Sequence, residues 1–214
     1  MARPTTARGT KRAPTRPHAR TSTVARNTKE TDIRLTLGID GTGTYEVETG
    51  IPFLNHMLEL FTRHGFFDLT VKAKGDLEVD YHHTVEDVGL VLGQALRDAL
   101  GDKAGIRRFG ECTVPLDEAL VQVVVDLSGR PFLAYDVEIR HAKIGNFDVE
   151  LIHDFLQAVA NEAQMNLHVR KLAGRNPHHV IEAAFKAFAR ALDAATAHDP
   201  RVRGVLSTKG SLRG

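Results

Sequence analysis

Apolar and polar residues alternate along several short segments of this chain with the period of two that β-strands have. Every second residue from Ile33 to Ile39 is apolar, and the same holds from Val121 to Val125. Asp40–Gly43 supplies turn residues, so we expect Thr44–Glu48 to return beside the first of these strands as a hairpin. Two further segments are predicted to be strands, Asp68–Ala73 and Asn166–Leu172.

Four longer segments have an apolar residue at every third or fourth position, which is the period of an amphipathic helix. They are Phe53–His64, His83–Leu100, Val149–Gln164 and His179–Ala197. Strands and helices therefore follow one another in the same order in both halves. The pattern L-x-L-x-I-D-x-T-G from Leu35 also matches V-x-V-x-V-D-x-S-G from Val121. We interpret this as an internal duplication, with a longer loop near Arg140–Asn146 in the second copy.

The duplication predicts the fold class. Each repeat is expected to be a small β-sheet with two helices on one face, because an amphipathic helix must bury its apolar side against another element. The two repeats, about residues 30–115 and 116–214, would pack through their apolar surfaces into one α+β domain over residues 30–214. The chain has 214 residues, of which 42% are hydrophobic, so it can bury one such core.

Both halves also carry the same histidines and acids, which folding does not require. In each half a single histidine is followed 25 or 26 residues later by a His-His pair, with a glutamate three residues after the pair. The shared residues are His56, His82, His83 and Glu86 in the first half, and His153, His178, His179 and Glu182 in the second. Eight residues in this repeated spacing indicate a metal site rather than surface histidines.

The spacing favours two metal ions over one. A helix turns 100° per residue, so the first histidine of each pair shares a face with the glutamate four positions later, while the second histidine points aside. Cys112 is the only cysteine, which excludes a cysteine-based zinc site and an internal disulfide. Imidazole and carboxylate ligands admit Mn, Fe, Co, Ni and Zn alike, so the ligand types do not identify the ion.

Charge is divided unevenly between the first 29 residues and the rest. Residues 1–29 contain eight lysines and arginines, no acid and one large aliphatic residue, Val24, so we predict a disordered tail. Such a tail is typical of a nucleic-acid arm, a transit peptide or a solvated extension, and we favour the last. The remaining residues carry 20 basic against 27 acidic groups, a net charge of −7 that argues against a nucleic-acid face.

The composition also predicts where the protein resides. No apolar run approaches the roughly 20 residues that a membrane span needs, and no apolar signal segment follows Met1. A single cysteine fits a reducing compartment. We therefore expect a soluble, cytoplasmic protein with no membrane partner.

Several basic residues lie close to the histidine motifs in the sequence. Arg107 and Arg108 precede a predicted strand, Arg130 follows the Ser128-Gly129 turn, and Lys186 lies two turns beyond His179. The chain ends with Ser207-Thr208-Lys209-Gly210. Because arginine and lysine bind phosphate groups well, their concentration beside a metal motif favours a phosphorylated substrate.

At these residues the sequence resembles the imidazoleglycerol-phosphate dehydratase family, from about Thr28 to the C-terminus. The segments that carry the resemblance are TGIPFLNHML from Thr49, HHTVED from His82, NPHHVIEA from Asn176 and STKG from Ser207. The chain departs from the family pattern at Asn55, where an aspartate is common.

The resemblance implies a di-manganese enzyme with a duplicated α+β fold. It implies 24 subunits with metal sites completed at their interfaces. One Mn²⁺ would be held by His82, His153, His178 and Glu182, and the other by His56, His83, Glu86 and His179. The assignment of His153 rests on the least regular of these motifs.

The resemblance also implies a lyase of L-histidine biosynthesis. It would dehydrate D-erythro-imidazole glycerol phosphate to imidazole acetol phosphate, with the metals binding the substrate's imidazolate. The implied catalytic residues are Glu30 and Glu182, either of which could move the proton. The implied substrate contacts are Glu30, His56, His64, His82, His83, Glu86, Arg108, Arg130, His178, His179, Glu182, Lys186, Ser207, Thr208 and Lys209. Among them, Arg108, Arg130, Lys186, Ser207 and Lys209 are expected to bind the phosphate.

Two other functions remain open on the residues alone. A nucleic-acid-binding protein would use the basic tail and keep histidines only to store metal or to hold it structurally; its binding would be sensitive to salt. A di-metal hydrolase would keep the ligands and cleave phosphate esters. Cleavage of a phosphate ester would not explain why two metals should share an imidazole ring.

Overall fold

The computed structural model describes residues 20–140 and 143–212. The first repeat contains β1 (Thr21–Asn27), β2 (Thr31–Gly38), β3 (Tyr45–Glu48), α1 (Pro52–Gly65), β4 (Asp68–Gly75) and α2 (His82–Leu100). The second contains β5 (Phe109–Leu116), β6 (Ala119–Asp126), β7 (Phe132–Asp136), α3 (Leu151–Ala163), β10 (Asn166–Ala173) and α4 (Pro177–Thr196). A short hairpin lies between β7 and α3, formed by β8 (Lys143–Ile144) and β9 (Phe147–Asp148).

The two repeats have the same topology, which confirms the predicted α+β duplication. The first sheet has the order β1-β2-β4-β3 and the second has the order β5-β6-β10-β7. In each sheet the first three strands pair antiparallel and the last pair is parallel. The predicted longer loop of the second repeat coincides with the β8–β9 hairpin.

The predicted hairpin between the first strand and Thr44–Glu48 is wrong. β3 pairs with β4 in parallel, and β2 has β1 on one side and β4 on the other. Because α1 connects β3 to β4, these three elements form a βαβ unit. Parallel strands need a crossover connection of this kind. The sequence offered a turn, but β1 occupies the edge of β2 that a hairpin would use.

The predicted disordered tail is wrong over Thr21–Asn27, which form the edge strand β1. Seven residue pairs with β2 satisfy its backbone, and Val24 packs into the core. Arg26 Nε lies 2.9 Å from a carboxylate oxygen of Asp87, a nearly buried side chain of α2. Strand pairing and one half-buried ion pair thus stabilise this segment, which has no apolar face. The rest of the predicted tail, residues 1–19, lies outside the described residues.

Four helices fill the space between the two sheets. α2 packs on β1 and β2, α4 packs on β5 and β6, and the two repeats meet where α2 contacts α3 and α1 contacts α4. Gly89 and Gly93 of α2 face backbone atoms of α3, at a distance where a Cβ would lie 2.8 Å or less from a carbonyl oxygen. Close backbone approach at these glycines brings the helices, and hence their N-termini, together. No helix in residues 20–140 and 143–212 is long and apolar enough to cross a membrane.

Candidate active site

Helices α1 and α4 bring three of the duplicated residues together. Ligand atoms of His56, His178 and Glu182 all lie within 4.8 Å of one another. Nε2 of His178 is 3.2 Å from Oε2 of Glu182, and Nε2 of His56 is 3.5 Å from the same oxygen. This is the only such group of three or more within the described part of the chain. It combines the single histidine of the first repeat with the His-His-Glu motif of the second.

Local sequence fixes the start of α4 at this group. The side chain of Asn176 accepts a hydrogen bond from the backbone N–H of His178 at 3.0 Å, and Pro177 occupies the first helical position. The ring of Phe53, at the start of α1, meets the ring of His178 edge-on with centroids 5.4 Å apart. His178 and Glu182 are four residues apart on α4, so they share one face of the helix, as the spacing predicts.

Glu182 is held in its ionised form. Burial opposes the charge, but Nζ of Lys186 lies 2.6 Å from Oε1 of Glu182, and together with His56 it lowers the pKa of the carboxyl group. The opposite oxygen faces both histidines. The same contact shows that Lys186, expected at the phosphate, is paired with Glu182 in the single chain.

The N-termini of α2 and α3 form the counterpart of this group. Nδ1 of His82 lies 3.5 Å from Asp154, and Nδ1 of His153 lies 3.2 Å from the other oxygen of the same carboxylate. Nε2 of His82 is 3.8 Å from Glu86. Asp154 was not expected from the sequence, and it connects histidines of the two repeats.

The second histidine of each pair has its own carboxylate. Nδ1 of His83 lies 3.0 Å from Asp76, and Nδ1 of His179 lies 2.8 Å from Glu118. These hydrogen bonds raise the pKa of both histidines. Because a carboxylate only accepts, each Nδ1 carries the proton and each Nε2 presents its lone pair outward. A histidine oriented in this way is suited to bind a metal.

Glu118 is a site residue that the sequence reasoning missed. It also accepts backbone hydrogen bonds from Arg175 and Asn176, at 3.1 Å and 2.8 Å. His179 first, and then these backbone donors, lower the pKa of Glu118 to about 2. The duplication contained the signal, since Glu30 precedes β2 as Glu118 precedes β6. Glu30 itself lies 3.9 Å from Nδ1 of His83.

His64 lies in the last turn of α1, on the side of Lys186. Burial, and then the charge of Lys186, lower the pKa of His64, so this ring is neutral at physiological pH. Asn55, the departure from the family pattern, accepts from the backbone and hydroxyl of Thr49 at 3.0 Å and 2.6 Å. It therefore fixes the turn before α1.

A large basic cavity lies at the other end of α4. Its volume is 1430 Å³, and it is lined by five of the expected substrate contacts, Arg108, Arg130, Ser207, Thr208 and Lys209. Arg107, which the sequence places beside Arg108, also lines it, as do two arginines that the sequence did not single out, Arg201 and Arg203. None of the duplicated histidines lines this cavity. Its concave, cation-rich surface is suited to an anion such as a phosphate group.

The histidine group and the basic cavity are separated along α4. The backbone N–H of Arg108, which lines the cavity, donates to the carbonyl of Ala195 at 2.9 Å, near the C-terminal end of α4. His178 lies at the N-terminal end of the same helix. At a rise of about 1.5 Å per residue, positions 178 and 195 are about 25 Å apart. One small molecule cannot contact both ends, so a single chain contains the parts of the expected site without joining them.

The donor set fits a divalent metal of intermediate softness. Ring nitrogens and carboxylate oxygens converge at the helix starts, and the rings of His56 and His178 remain partly exposed, which leaves room for a ligand. Neither expected set of four ligands is gathered within one chain among the described residues. The structure thus defines a class of protein, a duplicated α+β fold with paired histidine-carboxylate groups that could bind metal and a separate basic cavity.

Comparison with known proteins identifies the family. The family model for imidazoleglycerol-phosphate dehydratase matches residues 49–192. The Geobacillus sp. imidazoleglycerol-phosphate dehydratase is 62% identical over 193 residues, which cover 90% of this chain and 99% of that protein. The Geobacter sulfurreducens enzyme of the same name is 59% identical over 194 residues, covering 91% and 100%. The chain belongs to the imidazoleglycerol-phosphate dehydratase family, and it is a lyase of histidine biosynthesis.

Solved structures of this family share the fold. The crystal structure of the Staphylococcus aureus dehydratase superposes with a TM-score of 0.77 at 39% identity, covering 84% of this chain and 99% of that one. The Pyrococcus furiosus enzyme, crystallised with (S)-C348, gives the same TM-score and identity and covers 88% and 99%.

Proposed function

We propose that this enzyme dehydrates D-erythro-imidazole glycerol phosphate to imidazole acetol phosphate, using two Mn²⁺ ions per active site. The observation that carries the proposal is the meeting of His56, His178 and Glu182 at two helix starts, with its duplicated counterpart at His82 and His153. Two matched imidazole-carboxylate groups suit a substrate whose imidazole ring has two nitrogens. The basic cavity supplies the recognition of the phosphate.

The eight duplicated side chains would hold the metals. They are His56, His82, His83, Glu86, His153, His178, His179 and Glu182. When bound, divalent ions act as Lewis acids and as a template for the substrate's imidazole ring. Asp76 and Glu118 hold Nδ1 of His83 and of His179, which leaves the Nε2 nitrogens to bind metal; Nε2 of His179 lies 3.9 Å from Asp117.

The protein's own groups account for the remaining steps. The reaction removes a proton from the carbon attached to the imidazole and expels hydroxide from the next carbon. Glu30, exposed 3.9 Å from Nδ1 of His83, and Glu182, in the histidine group, are the two carboxylates that would accept this proton. Arg108, Arg130, Ser207 and Lys209 would bind the phosphate and fix the position of the side chain. In the single chain, Lys186 neutralises Glu182.

The complete active site would form between copies of the chain. About 25 Å separates the histidine group from the basic cavity on α4, so imidazole and phosphate of one substrate need groups from different subunits. This supports an oligomer with active sites at its interfaces, and the number of 24 subunits rests on the family resemblance alone. Sedimentation coupled to an activity assay should find activity only in the assembled species, and an active isolated monomer would contradict this arrangement.

The proposed reaction can be tested directly. Purified enzyme incubated with imidazole glycerol phosphate and Mn²⁺ should form the ketone product, which mass spectrometry detects as the loss of one water. Chelation should abolish the reaction and added Mn²⁺ should restore it. Full activity of enzyme shown by elemental analysis to contain no metal would refute the metal-dependent mechanism. Cytoplasmic location stays a prediction, which fractionation of cells can check.

Replacing Lys209 with alanine should weaken substrate binding more than it slows chemistry. Lys209 lines the basic cavity and is exposed, so its loss removes a point-charge contact with phosphate and leaves the histidine groups intact. We expect KM to rise by about tenfold with kcat little changed, as the loss of a charged hydrogen bond implies. Steady-state kinetics checks this, with the outward-facing Lys72→Ala as a control. An unchanged KM would refute the phosphate role of Lys209.

A further inference from the structure

Arg108 makes an extended set of contacts at the edge of the basic cavity. Its Nε and Nη2 donate to the two carboxylate oxygens of Asp126, at 2.7 Å and 3.0 Å. Its Nη1 donates to the carbonyl oxygen of Leu206 at 2.9 Å. The guanidinium carbon also lies 4.6 Å from the centre of the Phe109 ring. Three bonds leave two of the five guanidinium N–H groups for an anion.

The backbone of Arg108 is fixed as firmly as its side chain. Its φ angle is +72°, in the left-handed region that residues other than glycine rarely adopt. Two backbone hydrogen bonds hold it there, one to Ala195 and one from Leu127. Surrounding structure therefore imposes a strained conformation, which is common where a side chain must be aimed.

The bond to Leu206 fastens the segment that carries Ser207, Thr208 and Lys209. Within that segment, Lys209 N donates to Ser207 Oγ and Gly210 N donates to the carbonyl of Ser207. Apart from a local bond from the backbone N–H of Ser207 to the carbonyl of Val205 at 2.8 Å, the Arg108–Leu206 contact is the only hydrogen bond that joins residues 206–212 to the rest of the part of the chain that the structure describes. The placement of these residues at the cavity therefore depends on the orientation of Arg108.

The first repeat contains the same arrangement with a different acceptor. Arg20 precedes β1 as Arg108 precedes β5, and Asp40 follows β2 where Asp126 ends β6. Nε and Nη2 of Arg20 donate to the two oxygens of Asp40, at 2.9 Å and 2.5 Å. Its Nη1 donates to the carbonyl of Thr196, at the end of α4. One copy of a duplicated brace thus holds a helix end, and the other holds the anion-binding segment.

We propose that Asp126 is a positioning residue for phosphate recognition. It does not line the cavity, and both of its oxygens are occupied by Arg108, so its negative charge is neutralised before it can repel an anion. By orienting Arg108, it fixes Leu206 and places Ser207–Lys209 at the cavity. The substrate in this proposal rests on the proposed function. The placement of Ser207–Lys209 rests on the hydrogen bonds alone.

The test compares Asp126→Asn with Asp40→Asn, which removes the same charge from the equivalent pair of the first repeat. For Asp126→Asn we expect KM for imidazole glycerol phosphate to rise by about tenfold with kcat changed by less than about twofold. Binding of inorganic phosphate should weaken to a similar degree. Asp40→Asn should leave both values close to wild type. Equal effects of the two variants, or none for Asp126→Asn, would overturn the proposal.

Hydrogen exchange separates the positioning role from the proposed reaction. Amides of residues 206–210 should exchange faster in Asp126→Asn than in wild type or in Asp40→Asn. If the wild-type enzyme failed to dehydrate the substrate, this measurement would still decide the placement. Should Asp126→Asn not fold, Arg108→Lys takes its place, because lysine keeps the charge but cannot bond Asp126 and Leu206 together. Wild-type exchange in that variant would refute the brace.

Discussion

Replacing His178 with alanine should abolish catalysis and lower the metal content together. His178 lies 3.2 Å from Glu182 in the group that α1 and α4 assemble, and it belongs to the motif present in both repeats. Loss of residues that only orient a metal ligand costs about 10–100-fold, so loss of a ligand should cost more than about 100-fold in kcat/KM. Activity assays and elemental analysis of the dialysed protein measure the two effects.

His168→Ala is the matched control for this variant. His168 lies on β10 of the same repeat and is exposed beside Phe132, away from the histidine groups. It should keep both metal and activity. The stability of His178→Ala should change little, because the side chain it removes is partly exposed. A fully active His178→Ala enzyme, or one that retains all of its metal, would refute the proposed role.

Replacing Gly110 with alanine should destabilise the protein more than other single-methyl changes. A Cβ at this position of β5 would lie 1.9 Å from the carbonyl oxygen of Ala191 and 2.8 Å from the nitrogen of Ala195. Because both atoms belong to the backbone of α4, relief requires the helix and the sheet to separate. We expect a loss of about 3 kcal/mol, which lowers Tm by about 6–12 °C for a chain of this size.

Thermal melting at one fixed protein concentration checks this expectation. Thr113→Ala, on the same strand but exposed, is the control and should change stability by no more than about 0.5 kcal/mol. A Gly110→Ala protein that melts with the wild type would show that β5 and α4 do not pack as described. Since Arg108 lies two residues before Gly110, the variant should also weaken phosphate binding.

The helices and most strands could be predicted because their apolar periods are long and regular. All four predicted helices occur within two residues of their expected ends. The duplication predicted the fold class as well, because ordered repeats of strand, helix and histidine motif leave few alternatives. The structure brings His56 together with His178 and Glu182, whereas the family resemblance implies that His56 binds one metal and that His178 and Glu182 bind the other.

The elements that the sequence did not predict depend on partners distant along the chain. β1 is nearly all polar and is held by β2 and by the Arg26–Asp87 ion pair. β3 lies beside β4 because α1 forms a crossover. Glu118 was missed although it precedes β6 as Glu30 precedes β2, and its contact with His179 depends on the fold. The contact of Asp154 with His82 forms only where α2 packs against α3.

The proposed mechanism requires the duplicated histidines and glutamates to form paired Mn²⁺ sites that are completed between subunits. Anomalous diffraction at the manganese edge, from crystals of the assembled enzyme grown with Mn²⁺, tests it most directly. We expect two manganese peaks per chain, each within coordination distance of duplicated residues, including Glu182 or Glu86, and each with ligands from more than one subunit. Manganese bound elsewhere, or peaks whose ligands all come from one chain, would refute the proposed metal sites.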